Sequence, residues 1–116
     1  EEAIAAYRRA FELSDGFLGR AELGHVYGAM GRRAEALEML EELEEEAKVG
    51  YVAPVQFAIV HAGLGNTDSA FVWLEEAYRQ RDVTLRWRVL SPGLRELRSD
   101  PRFADLLRRL GLSAGL

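Results

Sequence analysis

Cysteine is absent from the 116 residues. That excludes disulfides, thiolate metal sites and thiol catalysis, and it suits a cytosolic setting. Proline is scarce, at 3 residues, and each one stands where the apolar pattern restarts. The first turn of a helix tolerates proline because its missing N–H would have had no partner there. Long apolar runs are missing too: Gly, Gln, His or a charge breaks each stretch well before the roughly 18 residues of a membrane span. No membrane partner is expected. No signal peptide opens the chain; an acidic residue already inside a helical pattern does, so the chain is expected to be a piece of a longer protein. Histidine occurs only at 25 and 61, and neither has a third ligand at metal spacing, where zinc asks for three or four. There is no glycine-rich phosphate loop after a strand and no nucleophile elbow. Catalysis, metal and cofactor are therefore not expected.

Charge is present, and it is unevenly placed. The formal net charge is −4, but residues 1–78 carry 15 acidic and 6 basic side chains, net −9, whereas residues 79–116 carry 4 acidic and 9 basic, net +5. The two ends attract each other. Acidic outer faces in water and a basic C-terminal segment lying over the rest account for this pattern. Nucleic acid is not an expected partner, because the C-terminal arginines alternate with leucines at core spacing and the pI is about 5.2, far below the basic range.

The strongest positive signal is a repeat. Gly31 and Gly65 stand thirty-four residues apart, and each precedes an alanine (Ala36, Ala70), a leucine (Leu40, Leu74) and a further apolar residue (Leu43, Ala77) at equal offsets. Residues 2–13 place Ala3, Tyr7 and Ala10 in the same phase, as the second helix of a pair whose first helix is missing. Residues 17–30 predict a first helix with Leu23-Gly24 followed by Tyr27, ended by Gly31. Residues 33–47 predict its partner, with Ala34, Ala36, Leu37, Leu40 and Leu43 buried and the glutamates at 38, 41, 42, 44, 45 and 46 in water. Pro54 opens a helix running to Gly63, in which Phe57, Ala58 and His61 hold the phase of Leu23, Gly24 and Tyr27. Asn66, Thr67 and Asp68 are expected to cap the next helix, over 67–80. Beyond Asp82 the phase stops, but apolar spacing continues from Leu85 to Leu110. Ser91-Pro92 and Asp100-Pro101 each pair a cap residue with a helix-starting proline, which predicts two or three short helices.

A 34-residue period with Leu-Gly-x-x-Tyr and a following small residue resembles the tetratricopeptide repeat. The resemblance implies an all-α fold: a right-handed α-solenoid of antiparallel helix pairs, with a half repeat at 1–13, repeats at 17–47 and 52–80, and a helical capping segment at 83–112. The tail, Leu97-Arg98-Ser99-Asp100-Pro101-Arg102-Phe103 through Leu112, is similar to tails that close such regions in large bacterial multidomain proteins, among them winged-helix regulators, nucleotide cyclases and Ser/Thr kinases. The chain departs from the pattern at the tryptophan expected early in a first helix, which is absent, and at the proline expected after Leu13.

What the resemblance implies about function is a non-catalytic scaffold that binds a protein or peptide segment in the concave groove lined by first helices. Register places Leu18, Ala21, Glu22, His25 and Ala29 there from one repeat, and Val52, Val55, Gln56, Ile59 and Ala62 from the next. None is Lys, Arg or Asn, so the carboxylate clamp that grips chaperone tails is not expected. The mixture suits an apolar helix or extended segment. The alternative is that missing upstream repeats or the chain's own tail fill the groove. Two other readings stand beside it: self-association through the apolar face of the first helix, at Ile4, Tyr7 and Phe11, and a regulatory arm of an upstream enzyme or DNA-binding domain.

Overall fold

The computed structural model describes residues 5, 6, 8, 9, 12, 20–81, 85, 89 and 92–112. Every regular element among the described residues is helical. Residues 5, 6, 8, 9 and 12 are α-helical, while Ile4, Tyr7 and Phe11 lie outside the described residues. From residue 20 the order is α1 (Arg20–Ala29), α2 (Arg33–Val49), α3 (Pro54–Gly63), α4 (Thr67–Arg79), a 3-10 helix (Pro92–Leu97) and α5 (Pro101–Arg109).

The glycine period acts at the ends of the first helices. Gly31 and Gly65 take left-handed φ of 78° and 80°. The chain then turns back so that Arg32 N donates to Tyr27 O at 2.8 Å and Asn66 N donates to His61 O at 2.9 Å. Both closures satisfy a carbonyl that a helix C-terminus would otherwise leave without a donor. The result is two tightly connected pairs, α1 on α2 and α3 on α4. Pro54 occupies the first turn of α3 after an extended Ala53, and Asp100 caps α5, its Oδ1 accepting from Arg102 N at 2.9 Å. Asn66 precedes α4 as expected, but its side chain makes no cap bond. Its amide Nδ2 lies 3.3 Å from His61 Nδ1 in the last turn of α3 instead.

The buried stripe of α2 is rotated from the one expected. Ala36, Met39, Leu40 and Leu43 are buried, while Ala34 is exposed and Leu37 is 39% exposed. The i, i+3, i+4, i+7 spacing running through Met39 is a complete helical face, and Leu37 falls outside it. The glutamates at 38, 41, 42, 44 and 45 are exposed.

The two pairs meet through their first helices, α1 against α3. At their crossing Gly28 faces Gly63 with backbone against backbone. A Cβ added to Gly63 would stand 2.4 Å from His25 O and 2.6 Å from His25 Cα; one added to Gly28 would stand 2.7 Å from Gly63 C. No side chain fits between them. One turn earlier, Gly24 lies under Val60 and Met39, the close approach that the Leu-Gly-x-x-Tyr phase provides. Around this crossing one large apolar cluster joins Ala21 of α1, Leu40 and Leu43 of α2, most of α3, Ala70, Phe71, Leu74 and Ala77 of α4, and the C-terminal residues Leu85, Val89, Leu94, Leu97, Phe103, Leu106 and Leu107. A smaller one holds Leu23, Tyr27, Ala36 and Met39.

Gly63→Ala is expected to lower the unfolding free energy by about 1–3 kcal/mol through forced separation of two backbones. Gly31→Ala, with open space around its Cβ, should lose only the left-handed preference, about 1–2 kcal/mol. Urea unfolding of both variants, followed by circular dichroism, checks the pair. A Gly63→Ala chain as stable as the parent would contradict the crossing.

Candidate protein-binding face

The sequence-predicted face is where α1 and α3 lie side by side. Leu18 lies outside the described residues. Ala21, Val52, Val55 and Ile59 are all brought together, but in the core: none is more than 9% exposed. They were expected to line an open groove. The C-terminal segment packs against this region. The 3-10 helix packs on α3, and its Leu94 and Leu97, with Leu85 and Val89, belong to the same apolar cluster as Ala21, Val55 and Ile59. Ala62 is buried as well, while Ala29 is exposed. Three predicted residues remain at the edge, half-buried: Glu22, His25 and Gln56.

The edge also carries a polar contact across the two segments. His25 Nε2 lies 2.9 Å from Glu96 Oε2, seventy-one residues on. Glu96 was not a predicted site residue. Its only sequence signal is an acidic position inside an otherwise basic stretch, between Arg95 and Arg98.

The rest of the C-terminal segment is tied to α4 by a repeated arrangement. Arg102 stacks over Phe71 at 4.4 Å and pairs with Asp68 at 3.1 Å. Arg109 stacks over Tyr78 at 4.8 Å and holds Glu75 with both arms, one at 2.8 Å. Arginine, aromatic and acid each recur after seven residues, two helical turns, so α5 and α4 run in the same direction with matched registers. Arg102 donates its guanidinium N–H groups and its backbone amide to Asp100, which holds that carboxyl below the usual carboxylate range. The charge gradient of the sequence is thus partly neutralised within the chain. On α2 the neutralisation is different: Arg20 of α1 reaches Glu42 at 3.5 Å and Glu46 at 2.7 Å.

His61 replaces the aromatic filler of the preceding repeat, as its phase predicts. Burial pushes its pKa below the ordinary 6.5, against a weaker opposing pull from Glu44. Phe57 of α3 stacks on Trp73 of α4 with ring centroids 4.3 Å apart, supplying bulk within that pair. Among the described residues no group of three His, Asp or Glu side chains is arranged to hold a metal ion. Among them, too, no helix is long and apolar enough to cross a membrane.

With this geometry in view, residues 20–48 match the sequence profile of the tetratricopeptide repeat. The matched stretch is α1 and α2, so the chain carries a tetratricopeptide repeat in an all-helical fold consistent with an α-solenoid. Such repeats are in general protein–protein interaction modules. No curated protein and no solved structure gives a significant match to this chain.

The His61 shift has a sign that can be checked. With the folded pKa lowered, the unfolded chain binds more protons in the window below about 6.5. The contribution of neutral His61 to stability is therefore present above 6.5 and lost as pH falls through the folded value. Denaturant midpoints measured from pH 7 down to 5 should decline less steeply in His61→Gln than in the parent; identical slopes would contradict the assignment.

Proposed function

We propose that the chain is a non-catalytic protein-interaction module, and that a partner segment engages the inner face of α1 and α3. Glu22, His25 and Gln56 form its accessible edge; Ala21, Val52, Val55 and Ile59 form the apolar floor beneath. The observation that supports this reading most directly is that the face already accommodates a chain segment, the C-terminal one, through apolar anchors and one polar contact. A surface able to seat one amphipathic segment has the chemistry to recognise another. The tetratricopeptide match over α1 supports the same reading.

Burial determines which variants are informative. Ile59→Glu would place a carboxylate in the core and destabilise the fold directly. Gln56 is half-buried, unlike Val55 and Ile59 beside it on α3, so Gln56→Lys changes the edge while keeping the floor. With the full chain as bait, proteins retained by the parent should be retained at least about tenfold less by Gln56→Lys, corresponding to roughly 1.4 kcal/mol. Val72→Ser, an exposed position on α4, should retain them fully. Matching helicity in the three baits is the control, and equal retention by Gln56→Lys would remove the edge from the interaction.

A further inference from the structure

We infer that the inner face of α1 and α3 is a receptor for one short motif, a single helical turn bearing two leucines three residues apart and an acid just before the second. In the free chain its own residues 92–97 occupy that receptor, and a partner carrying the same turn displaces them. This rests on the reading that the inner face is the interaction surface, and it adds the partner's chemistry.

The geometry of the turn carries the inference. Residues 92–97 form a 3-10 helix, in which positions three apart eclipse one another. Leu94 and Leu97 therefore point the same way, and both are fully buried in the cluster that holds Ala21, Val55 and Ile59. Arg95 and Arg98, the other pair three apart, are exposed. Glu96 reaches sideways to His25 at 2.9 Å. Two apolar anchors, one acid and a solvent-facing side make a recognition element rather than a generic plug.

The turn is also a 3-10 helix, whereas the segment that follows it, α5, is an α-helix. A 3-10 helix has poorer hydrogen-bond geometry than an α-helix and is stable only in short pieces. Immediately beyond it Arg98 N donates to Arg95 O at 3.1 Å and Asp100 N to Leu97 O at 3.0 Å. From Pro101 onward α5 has its own anchorage in Phe103, Leu106 and Leu107, and in the two arginine pairs on α4. Releasing the turn does not require releasing α5. The face can open locally while the rest of the C-terminal segment stays in place.

The probe is a fluorescein-labelled peptide with the sequence of residues 90–99, Leu-Ser-Pro-Gly-Leu-Arg-Glu-Leu-Arg-Ser, titrated with the 116-residue chain and followed by anisotropy. An occupied face reduces apparent affinity by the fraction of molecules that are open. The double variant Leu94→Ala/Leu97→Ala, whose own turn has lost its anchors, should bind the probe at least about tenfold more tightly than the parent chain. A probe with both leucines replaced by alanine should not bind. Glu96→Lys keeps the leucines, sets a cation against His25 and guards against misfolding of the double variant. It should give an increase of about threefold, with faster hydrogen exchange at the amides of Arg98 and Asp100 and unchanged exchange in α1–α4. Failure of a folded double variant to bind the probe would overturn the proposal. So would exchange at those two amides only through global unfolding in Glu96→Lys, or a dimer with exchanged C-terminal segments, in which a second copy is the occupant. If the probe fails while Gln56→Lys still loses captured partners, the motif is wrong and the interaction surface stands.

Discussion

The contact between Gly28 and Gly63 sets the distance between the two helix pairs, and most of the remaining packing follows from that distance. Packed helices ordinarily sit 8–10 Å apart, held off by their side chains. Here the backbones themselves touch, since a Cβ on either glycine would fall within 2.8 Å of main-chain atoms. Close approach at this end brings Ala21 and the apolar side of α3 into one continuous surface. Leu94 and Leu97 belong to the same cluster.

What holds the C-terminal segment down is decided by magnitude. Each fully buried leucine or phenylalanine contributes about 1.5–3 kcal/mol, and Leu94, Leu97, Phe103, Leu106 and Leu107 are all buried. The pairs made by Arg102 and Arg109 are solvent-exposed, and exposed pairs contribute at most about 1 kcal/mol. The arginines therefore fix the register and direction of α5, through the seven-residue match with Asp68, Glu75, Phe71 and Tyr78, while the apolar anchors supply the stability. Within that division the 3-10 turn contributes the buried Leu94 and Leu97 and the contact of Glu96 with His25.

Much of this fold was legible in the sequence, because periodicity and caps are local. The turns at Gly31 and Gly65, the start of α3 at Pro54 and the cap at Asp100 each depend on residues within one or two turns. The stripe of α2 was read with Leu37 inside it and Met39 outside, since both are apolar and only the packing partner chooses between them. The crossing was not legible: a glycine inside a helix reads simply as a weak helix former, and nothing near Gly28 names Gly63 as its partner. The same limit applies to the candidate site. Register puts Ala21, Val55 and Ile59 on one open face, whereas all three are buried, in a cluster that also holds Leu94 and Leu97 from far along the chain. His25 and Glu96 stand 71 residues apart, and no local pattern links them.

The charge gradient takes its meaning from this arrangement. In sequence it is a −9 stretch followed by a +5 stretch, which invites a search for an external counter-charge. In the structure two of the C-terminal arginines meet acids of α4, Arg20 meets acids of α2, and the one C-terminal acid at the inner face, Glu96, meets His25. Complementary charge is thus used within the molecule, mainly on the outer helices, to orient the segment that covers the inner ones. The inner face itself is left with few charges and many buried apolar atoms. In the proposed reading, recognition there rests on shape and apolar anchors, with the His25 position selecting for an acid. A partner chosen by net charge would be drawn to the outside of α2, where the exposed glutamates lie, and would gain nothing from the surface that the Gly28–Gly63 crossing builds.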